Sequence, residues 1–318
     1  MTVVEPASQL RPVRRRGLGT LRAVGVIAHP IRPCRDVLDA IAGWTERHGA
    51  RLLALDDQIP IRRRIERVGD GELVDSVDVV IAVGGDGTLL RSLAVAALAG
   101  VPVLGVNLGR LGLMAEVDPP ELTAALDAID AGRYRVEERV ALETNVRRGT
   151  GEQVLRASND VVLRRVAGHR QAELAVSIGG QLFSRYVGDG LILSTPTGST
   201  AYAYSAGGPI VSPGTQTLLV TPLAAHSLVN RSLIVDAGDR IEIEVLDGSA
   251  PLVIERDGSQ DGEVTAGSRV TATRSTHDDL VIRLGWSNFY SRARRKLQLV
   301  DPLELTEATV TPMPNVGR

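Results

Sequence analysis

The sequence is poor in cysteine, lysine and aromatic residues, and each shortage excludes a class of protein. Cys34 is the one cysteine among 318 residues, which excludes an internal disulfide and a multi-cysteine metal site and favours a reducing compartment, the cytoplasm. Lys296 is the one lysine among 36 basic residues, which excludes a P-loop and a protein-kinase lysine. Aromatic residues make up 3% of the chain, so the core must be aliphatic.

Long apolar runs and a strong net charge are also absent. No run approaches the roughly 18–20 apolar residues that span a bilayer. The formal net charge is −2 and the isoelectric point is about 6.2, which argues against a nucleic-acid binder. We therefore expect neither a membrane nor a nucleic acid as a partner. A composition of 43% hydrophobic and 23% charged residues is typical of a globular protein, and the length suggests about two domains.

The first part of the chain alternates between strand-like and helix-like segments. The strand-like segments are 21–28, 51–56, 77–83 and 101–107, and the helix-like segments are 35–48, 89–99 and 120–132. The unbroken Val/Ile run at 77–83 is typical of a parallel strand that is covered on both faces. The alternation predicts an α/β domain with a mainly parallel, Rossmann-like sheet over residues 21–135.

Beyond about residue 135 the apolar residues recur with a period of two. Leu174, Val176 and Ile178 alternate with polar neighbours, as do the apolar residues of 140–146 and 241–245. This pattern predicts an all-β, sandwich-like domain over 136–285. The remaining segments are predicted to be a disordered Arg-rich tail at 1–20, a segment at 286–302 that returns to the α/β domain, and a flexible tail at 303–318.

Residues 84–88 read GGDGT and lie between a buried strand and a helix. Glycines let backbone N–H groups approach phosphate oxygens, and the amino terminus of a helix favours an anion. Asp86 then supplies a carboxylate for magnesium or for proton transfer. The alternative interpretation is an ordinary strand-to-helix turn in which Asp86 caps the helix.

Two further segments have the composition of a nucleotide site. Residues 188–208 are rich in glycine and hydroxyl groups, and Tyr202 and Tyr204 offer rings to a base; a surface loop is the alternative. The SND triplet at 158–160 can bond ribose hydroxyls or can simply begin the strand that follows it. No histidine pair has metal-ligand spacing and no GxSxG motif occurs, so a hydrolase has no support.

Taken together, these segments resemble the NAD kinase family. The matching blocks are VGGDGTLLRSL (83–93), PVLGVNLGRLGLMAEV (102–117), GDGLILSTPTGSTAYAYSAGGPIVSP (188–213), TPLAAHSLVNRSLIV (221–235) and DGSQDG (257–262). The resemblance covers roughly residues 21–300. It implies that ATP, or polyphosphate, phosphorylates the 2′-hydroxyl of the adenosine ribose of NAD, with Mg²⁺ or another divalent cation, in a homodimer or homotetramer.

The resemblance also implies roles for individual residues. Asp86 would contact the ribose and activate its hydroxyl or help to place Mg²⁺. The donor phosphates would be held by Gly84, Gly85, Gly87 and Thr88. Asn159 and Asp160 would bind ribose hydroxyls, Asp189 would recognise the nicotinamide side, and Thr197, Thr200, Ala201, Tyr202 and Ser205 would form the adenine and ribose pocket. Because the loop contains no lysine, its positive charge must come from elsewhere, and Arg91 and Arg110 are candidates by position.

Three features depart from the family's pattern, and two other functions stay open. Asp160 replaces a Glu, Leu113 stands where Phe is frequent, and the 257–262 turn is expanded. One alternative is a lipid kinase of the diacylglycerol or sphingosine type, whose loop is also GGDGT-like, although residues 188–208 favour a nucleotide pocket. The other is a paralogue that binds NAD(H) without turnover. The sequence leaves the donor, the choice of NAD or NADH and the oligomeric state open.

Overall fold

The computed structural model describes residues 20–55, 65–109, 112–226, 229–286 and 288–299. The predicted tails at 1–20 and 303–318, apart from Thr20, lie outside these ranges, and so does Arg110. Within them, no helix has both the length and the apolar character that a membrane crossing requires.

Nineteen strands and six α-helices make up the described part of the chain. The strands are β1 (Ala23–Ala28), β2 (Arg51–Leu55), β3 (Glu66–Val68), β4 (Val79–Gly84), β5 (Val103–Asn107), β6 (Arg135–Arg139), β7 (Leu142–Arg148), β8 (Gly151–Ala157), β9 (Asp160–Arg165), β10 (Ala172–Ile178), β11 (Gln181–Gly188), β12 (Gly190–Ser194), β13 (Thr217–Leu223), β14 (Leu233–Asp236), β15 (Ile241–Val245), β16 (Leu252–Arg256), β17 (Ser259–Val264), β18 (Arg269–Arg274) and β19 (Asp279–Arg283). The helices are α1 (Arg35–His48), α2 (Asp70–Ser76), α3 (Asp86–Ala96), α4 (Leu122–Asp130), α5 (Tyr202–Ser205) and α6 (Phe289–Lys296), with 3₁₀ turns at Ala97–Ala99, Pro119–Glu121 and Gly198–Thr200.

A seven-stranded sheet with the order β3-β2-β1-β4-β5-β19-β6 organises the α/β region. Its neighbouring strands are parallel except for β19 and β6, which pair antiparallel. Helices α1 and α4 bury one face through residues such as Trp44 and Leu126, and α2 and α3 bury the other through Leu73 and Leu89. Strands β1 and β4 are buried along their whole length, which explains their unbroken aliphatic sequence. The predicted α/β domain with a mainly parallel sheet is confirmed.

Two six-stranded antiparallel sheets form the β-rich region. Their orders are β11-β10-β15-β18-β7-β8 and β14-β13-β12-β9-β16-β17. One aliphatic cluster lies between them and includes Leu174 and Val176 from the first sheet and Leu191 and Leu193 from the second. In β10 and β15 buried and less buried residues alternate, as the period of two predicts. The predicted all-β domain is confirmed.

The chain crosses between the two regions at β6 and β19. Both strands belong to the seven-stranded sheet, although the predicted boundaries at 136 and 285 place most of β6 and all of β19 in the β-rich domain. Each strand has five residues of mixed polarity, RVEER and DLVIR, so the sequence pattern does not assign either strand to one region. The division into domains stays a prediction, while the pairing of Arg139 with Asp279 shows that β6 and β19 are neighbours in the seven-stranded sheet.

Candidate active site

Asp86 lies where the central strand β4 ends and helix α3 begins. Gly85 is the N-cap residue of α3 and Asp86 is its first helical residue. The helix was predicted from residue 89, but it starts earlier because the Gly85 carbonyl already accepts the N–H groups of Thr88 and Leu89, each at 3.1 Å. The last three residues of the GGDGT motif, 86–88, therefore lie in the first turn of α3, where the aligned backbone dipoles favour an anion.

The loop glycines serve different purposes. A Cβ on Gly84 would lie 2.2 Å from the Thr88 hydroxyl oxygen, so glycine at 84 lets Thr88 fold back against the end of the strand. A Cβ on Gly87 would meet no atom within 4 Å, and one on Gly85 would meet only the Arg32 side chain, at 3.9 Å. Gly85 and Gly87 thus leave backbone open beside the loop, whereas Thr88 is buried against Gly84.

A segment from β5 onward fixes the Asp86 carboxylate. The N–H of Leu113 donates to Oδ2 and the N–H of Met114 donates to Oδ1, both at 3.2 Å. A Cβ on Gly112 would lie 2.7 Å from Oδ1, so glycine at 112 allows this close approach. The N-cap residue of α3 is Gly85, not Asp86. The helix-cap interpretation of Asp86 is therefore wrong, because its carboxylate is turned toward residues 112–114.

Two buried arginines hold the same segment from the other side. Nη1 of Arg283 donates to the Met114 carbonyl at 3.0 Å, and Nε of Arg292 donates to the Leu113 carbonyl at 3.2 Å. Both side chains are almost fully buried, at 2% and 4% exposure. Residues 113 and 114 thus donate to Asp86 and accept from guanidinium groups, which fixes the position of the carboxylate.

Glutamates balance the charge of these arginines. Arg283 pairs with Glu116 at 3.1 Å and with Glu137 at 2.9 Å. Burial by itself would raise the pKa of Glu137, but the guanidinium groups of Arg139 and Arg283 lower that pKa to about 2. Burial, and then the charge of Arg283, lowers the pKa of Arg292 to about 10. A buried network of this kind is costly to break, because removal of one partner leaves an uncompensated charge.

A cavity of about 570 Å³ opens beside the GGDGT loop. It is lined by Arg32, Pro33, Gly85, Asp86, Leu108, Gly109, Gly112 and Lys296. Lys296 pairs with Asp86 through Oδ2. Arg32 lies over Gly109, where a Cβ would be 2.4 Å from its Nη1. The cavity therefore has a carboxylate and two cations in its lining.

The two cations of this cavity were not predicted. Arg32 follows β1 and is placed by His29, whose Nδ1 accepts the N–H groups of Ile31 and Arg32 at 3.1 Å each. The one available signal for Arg32 is its place after the first strand, at the edge where α/β sheets bind ligands. Arg91 is exposed on α3 and does not line the cavity, and its role in phosphate binding stays a prediction.

Asp257 holds the SND turn in its conformation. Its carboxylate accepts the N–H groups of Ser158 at 3.0 Å, Asn159 at 2.7 Å and Asp160 at 3.1 Å. Its own N–H donates to the Asp160 carbonyl at 3.0 Å. Asp257 adopts a left-handed conformation with a φ of 48°, which aspartate tolerates better than most residues. The turn that presents Asn159 and Asp160 is thus shaped by the 257–262 segment.

The side chains of this turn are buried and polar. Oδ1 of Asn159 is buried and has no hydrogen-bond partner among the described residues, so it can accept a bond from a ligand hydroxyl. Asp160 is 5% exposed, and burial, followed by the charges of Asp257 and Glu255, raises its pKa to about 7. A carboxyl group with a pKa of about 7 is partly protonated at physiological pH, so it can either donate or accept a hydrogen bond.

Residues 195–205 pack directly on the SND turn. The Thr195 hydroxyl donates to the Ser158 carbonyl at 2.6 Å, and the Thr195 N–H donates to the Asn159 carbonyl at 2.9 Å. A Cβ on Gly198 would lie 2.1 Å from the same Asn159 oxygen, so only glycine allows this packing. The remaining predicted residues of this segment lie on the 3₁₀ turn and α5 or beside them: Thr197, Thr200, Ala201, Tyr202 and Ser205.

A second cavity, of about 310 Å³, lies between Asp189 and Tyr202. Its lining comprises Arg164, Arg165, Ala167, Gly168, Asp189, Tyr202, Leu223 and Ala224. Asp189 accepts a bond from Nε of Arg165 at 2.5 Å, and Tyr202 is 38% exposed. The two cavities share no lining residue. The structure therefore brings the SND turn to residues 195–205 and separates the cavity at Asp189 from the cavity at Asp86.

Two family models match the chain. The model of the ATP-NAD kinase N-terminal domain matches residues 41–134, and that of the ATP-NAD kinase C-terminal domain matches residues 158–284. An NAD kinase of Moorella thermoacetica is 37% identical over 279 residues, which are 87% of this chain and 90% of that protein.

Solved structures share the fold. The structure of a yeast NADH kinase with bound NADH aligns with a TM-score of 0.79 and 24% identity over 89% of either chain. An NAD kinase of Archaeoglobus fulgidus in complex with ATP aligns with a TM-score of 0.67 and 22% identity over 86% of this chain and 98% of that one.

Proposed function

The chain belongs to the NAD kinase family, as its motifs predicted, and we propose that it transfers the γ-phosphoryl group of ATP to the 2′-hydroxyl of the adenosine ribose of NAD. The observation that carries this proposal is the Asp86 carboxylate, fixed by two backbone N–H groups at the first turn of α3 and open to a cavity with two cations. Phosphoryl transfer depends on positioning and on neutralising charge, and this arrangement supplies both.

The donor phosphates bind at the GGDGT turn. Gly85 and Gly87 leave backbone open there, and the helix dipole of α3 attracts negative charge. Arg32 lines the cavity beside Gly85 and adds a guanidinium group that suits phosphate oxygens. Gly84 and Thr88 support the turn from within.

Asp86 serves as the proton acceptor of the reaction. The 2′-oxygen of NAD attacks the γ-phosphorus of ATP, the bond from that phosphorus to the bridging oxygen breaks, and ADP leaves. The hydroxyl proton passes to the Asp86 carboxylate, which two N–H groups hold in place. The products are NADP, ADP and a proton.

A divalent cation fits the residues beside the loop. The described residues contain no group of three or more His, Cys, Asp or Glu side chains that could hold a metal on their own. Mg²⁺ is commonly held by one or two carboxylates together with substrate phosphates, and Asp86 offers one carboxylate at the cavity. Bound there with the donor, Mg²⁺ would neutralise phosphate charge.

NAD binds through the β-rich region. The unpartnered Asn159 Oδ1 and the Asp160 carboxyl suit ribose hydroxyls, and the exposed Tyr202 ring suits the adenine. Asp189 lines the cavity beside Tyr202 and is assigned to the nicotinamide side. Thr197, Thr200, Ala201 and Ser205 complete the pocket around α5.

We propose a cytoplasmic location and a homo-oligomeric state, which the resemblance to the family implies. A buried free thiol at Cys34, whose pKa burial raises, suits a reducing compartment such as the cytoplasm. We assign the chain to a homodimer or homotetramer, which light scattering on the purified chain tests: a monomer at enzyme-assay concentration would contradict it.

One assay tests the proposed reaction against its rivals. The purified chain is incubated with Mg²⁺, ATP or polyphosphate, and one acceptor at a time: NAD, NADH, diacylglycerol or sphingosine. We expect NADP from NAD and ATP, and the position of the new phosphate is read by phosphorus NMR. Phosphorylation of a lipid would support the lipid-kinase alternative, and NAD binding without NADP would support the non-catalytic one.

A further inference from the structure

The chain's single lysine lies at the candidate active site. Lys296 is the last residue of α6, and its ammonium group pairs with Oδ2 of Asp86, which is 210 positions away in the sequence. The Lys296 side chain is 33% exposed and that of Asp86 is 24% exposed, so the pair is open to the cavity.

The helix that carries Lys296 is anchored to the segment that fixes Asp86. Arg292, one turn before Lys296, is buried and donates to the Leu113 carbonyl, while the Leu113 N–H donates to Asp86. Ala293 is also buried, and Asn288 caps the amino terminus of α6 through the Ser291 N–H at 2.8 Å. The position of Lys296 is therefore set by the packing of α6 on the segment that fixes Asp86.

The ion pair of Lys296 with Asp86 indicates that the ammonium group can exchange this carboxylate for a donor phosphate. A partly exposed ion pair contributes little to stability, so a ligand of higher charge displaces it readily. A triphosphate at the GGDGT turn brings several negative oxygens into the cavity that Lys296 lines. A lysine ammonium is a compact charge with three donors, which suits a phosphoryl group as it moves.

We propose that Lys296 is a catalytic residue that binds the transferred phosphoryl group of the donor, and that its ion pair with Asp86 covers this carboxylate until the donor arrives. This inference rests on the proposed function, since it needs a nucleoside triphosphate at the loop. Donor binding draws the ammonium group from Asp86 to the phosphate oxygens. The Asp86 carboxylate then becomes free to accept the hydroxyl proton, so donor binding prepares the base.

Substitution of Lys296 gives the first test. Lys296→Gln keeps the polar chain and removes the charge, and Arg295→Gln removes a charge from the neighbouring exposed position of α6. We expect Lys296→Gln to lower kcat by roughly 10²–10³-fold, the range for loss of one group that stabilises developing charge. The KM for ATP should rise while the KM for NAD changes less than about threefold, and Arg295→Gln should match the wild type.

Chemical labelling gives a second test that needs no variant and no turnover. Because the chain has one lysine, an amine-reactive ester modifies only Lys296 and the terminal amine, and mass spectrometry separates the two. We expect MgATP to slow labelling of Lys296 at least fivefold, with the terminal amine as internal reference. NAD alone should leave the labelling rate unchanged.

The outcomes separate this proposal from the proposed function. Kinetic constants of Lys296→Gln equal to the wild type, with or without a fall in Tm, would overturn the role of Lys296 while NADP formation stands. Labelling that MgATP does not slow would also overturn it. A wild-type chain that makes no NADP would contradict the proposed function, whereas protection by MgATP would still place the donor at Lys296.

Discussion

In both the Asp86 region and the SND turn, an aspartate carboxylate accepts backbone N–H groups, but that aspartate has a different role in each region. At the first region the acceptor is Asp86 itself, which is fixed by Leu113 and Met114 and faces a cavity. At the second region the acceptor is Asp257, which fixes the backbone under Asn159 and Asp160. The first arrangement orients a reactive group, and the second shapes a binding surface.

The two regions also differ in the charges that surround their carboxyl groups: cations lie near Asp86, and other carboxyls lie near Asp160. Asp86 is paired with Lys296, and the arginines behind residues 113 and 114 are balanced by glutamates. Asp160 lies instead near two further carboxyls, which with burial raise its pKa to about 7. Asp86 thus has a cationic partner that a donor phosphate can draw away, whereas Asp160 is a buried carboxyl with a pKa of about 7 that is suited to hydrogen bonding. The comparison therefore predicts that changes at the two regions affect different kinetic constants.

The largest effect is expected for Asp86→Asn. Asparagine has nearly the same shape but is neither a base nor a strong metal ligand, so kcat should fall by roughly 10²–10⁴-fold. Because the SND turn and Asp189 are intact, the Kd for NAD should stay within about tenfold of the wild type. Turnover and NAD binding are measured on one preparation. Unchanged turnover would remove Asp86 from the chemistry.

The next effect is expected for Asp257→Ala. The substitution leaves three backbone N–H groups of the SND turn without their acceptor, each worth about 1–3 kcal/mol if buried and unsatisfied. We expect the KM for NAD to rise about 10- to 100-fold and the KM for ATP to stay the same. Asp257→Asn, which keeps one acceptor and tolerates the left-handed backbone, should show a smaller rise. Asp247→Ala, at an exposed turn, is the control, and equal effects on both substrates would contradict the prediction.

A pH-dependent stability effect is expected from Asp160. Its pKa of about 7 in the folded chain lies above its ordinary 3.8, so the folded chain keeps the proton where the unfolded chain has lost it. Stability from this group therefore falls as pH rises from about 4 to about 7. Asp160→Asn removes the effect, and the difference in free energy of unfolding, variant minus wild type, should grow by about 3–4 kcal/mol over that window. Denaturant titrations at several pH values measure it, and a flat difference would show that Asp160 is not held in this way.

The smallest effect is expected for Arg32→Gln. Arg32 lines the cavity at Asp86 but makes one of several contributions to the positive field there, so the KM for ATP should rise about fivefold. The KM for NAD should not change. Arg47→Gln, at an exposed position of α1, is the matched control. If the KM for NAD rose more than the KM for ATP, Arg32 would act on NAD binding and its assignment to the donor phosphates would be wrong.

The sequence pattern predicts the elements that carry the site better than the contacts that complete it. The unbroken Val/Ile run before GGDGT places Asp86 at the end of a central strand, and the structure agrees. Lys296 and Asp257 reach their partners from 210 and about 98 positions away, and no local period records such pairs. The DGSQDG block marks Asp257 as part of a family pattern without indicating which groups it bonds.

Two parts of the fold also lack a local signature. Strand β3 and helix α2 are short, and two glycines at 69 and 71 lie at the start of α2, so neither element was predicted. Strands β6 and β19 pair with each other in the seven-stranded sheet, although their short sequences, RVEER and DLVIR, show neither a clear alternation nor an unbroken apolar run. Their place is decided by tertiary packing, which the residue pattern of one strand does not contain.

The most direct test of separate roles is the affinity for NAD in a double-mutant cycle of Asp86→Asn and Asp257→Ala, measured by calorimetry without donor. If Asp86 orients the chemistry and Asp257 shapes the NAD surface, the double variant should bind NAD as the sum of the single effects predicts, with a coupling free energy below about 0.5 kcal/mol. A coupling free energy above about 1 kcal/mol would contradict the account, because the two carboxylates would then act on NAD as one unit.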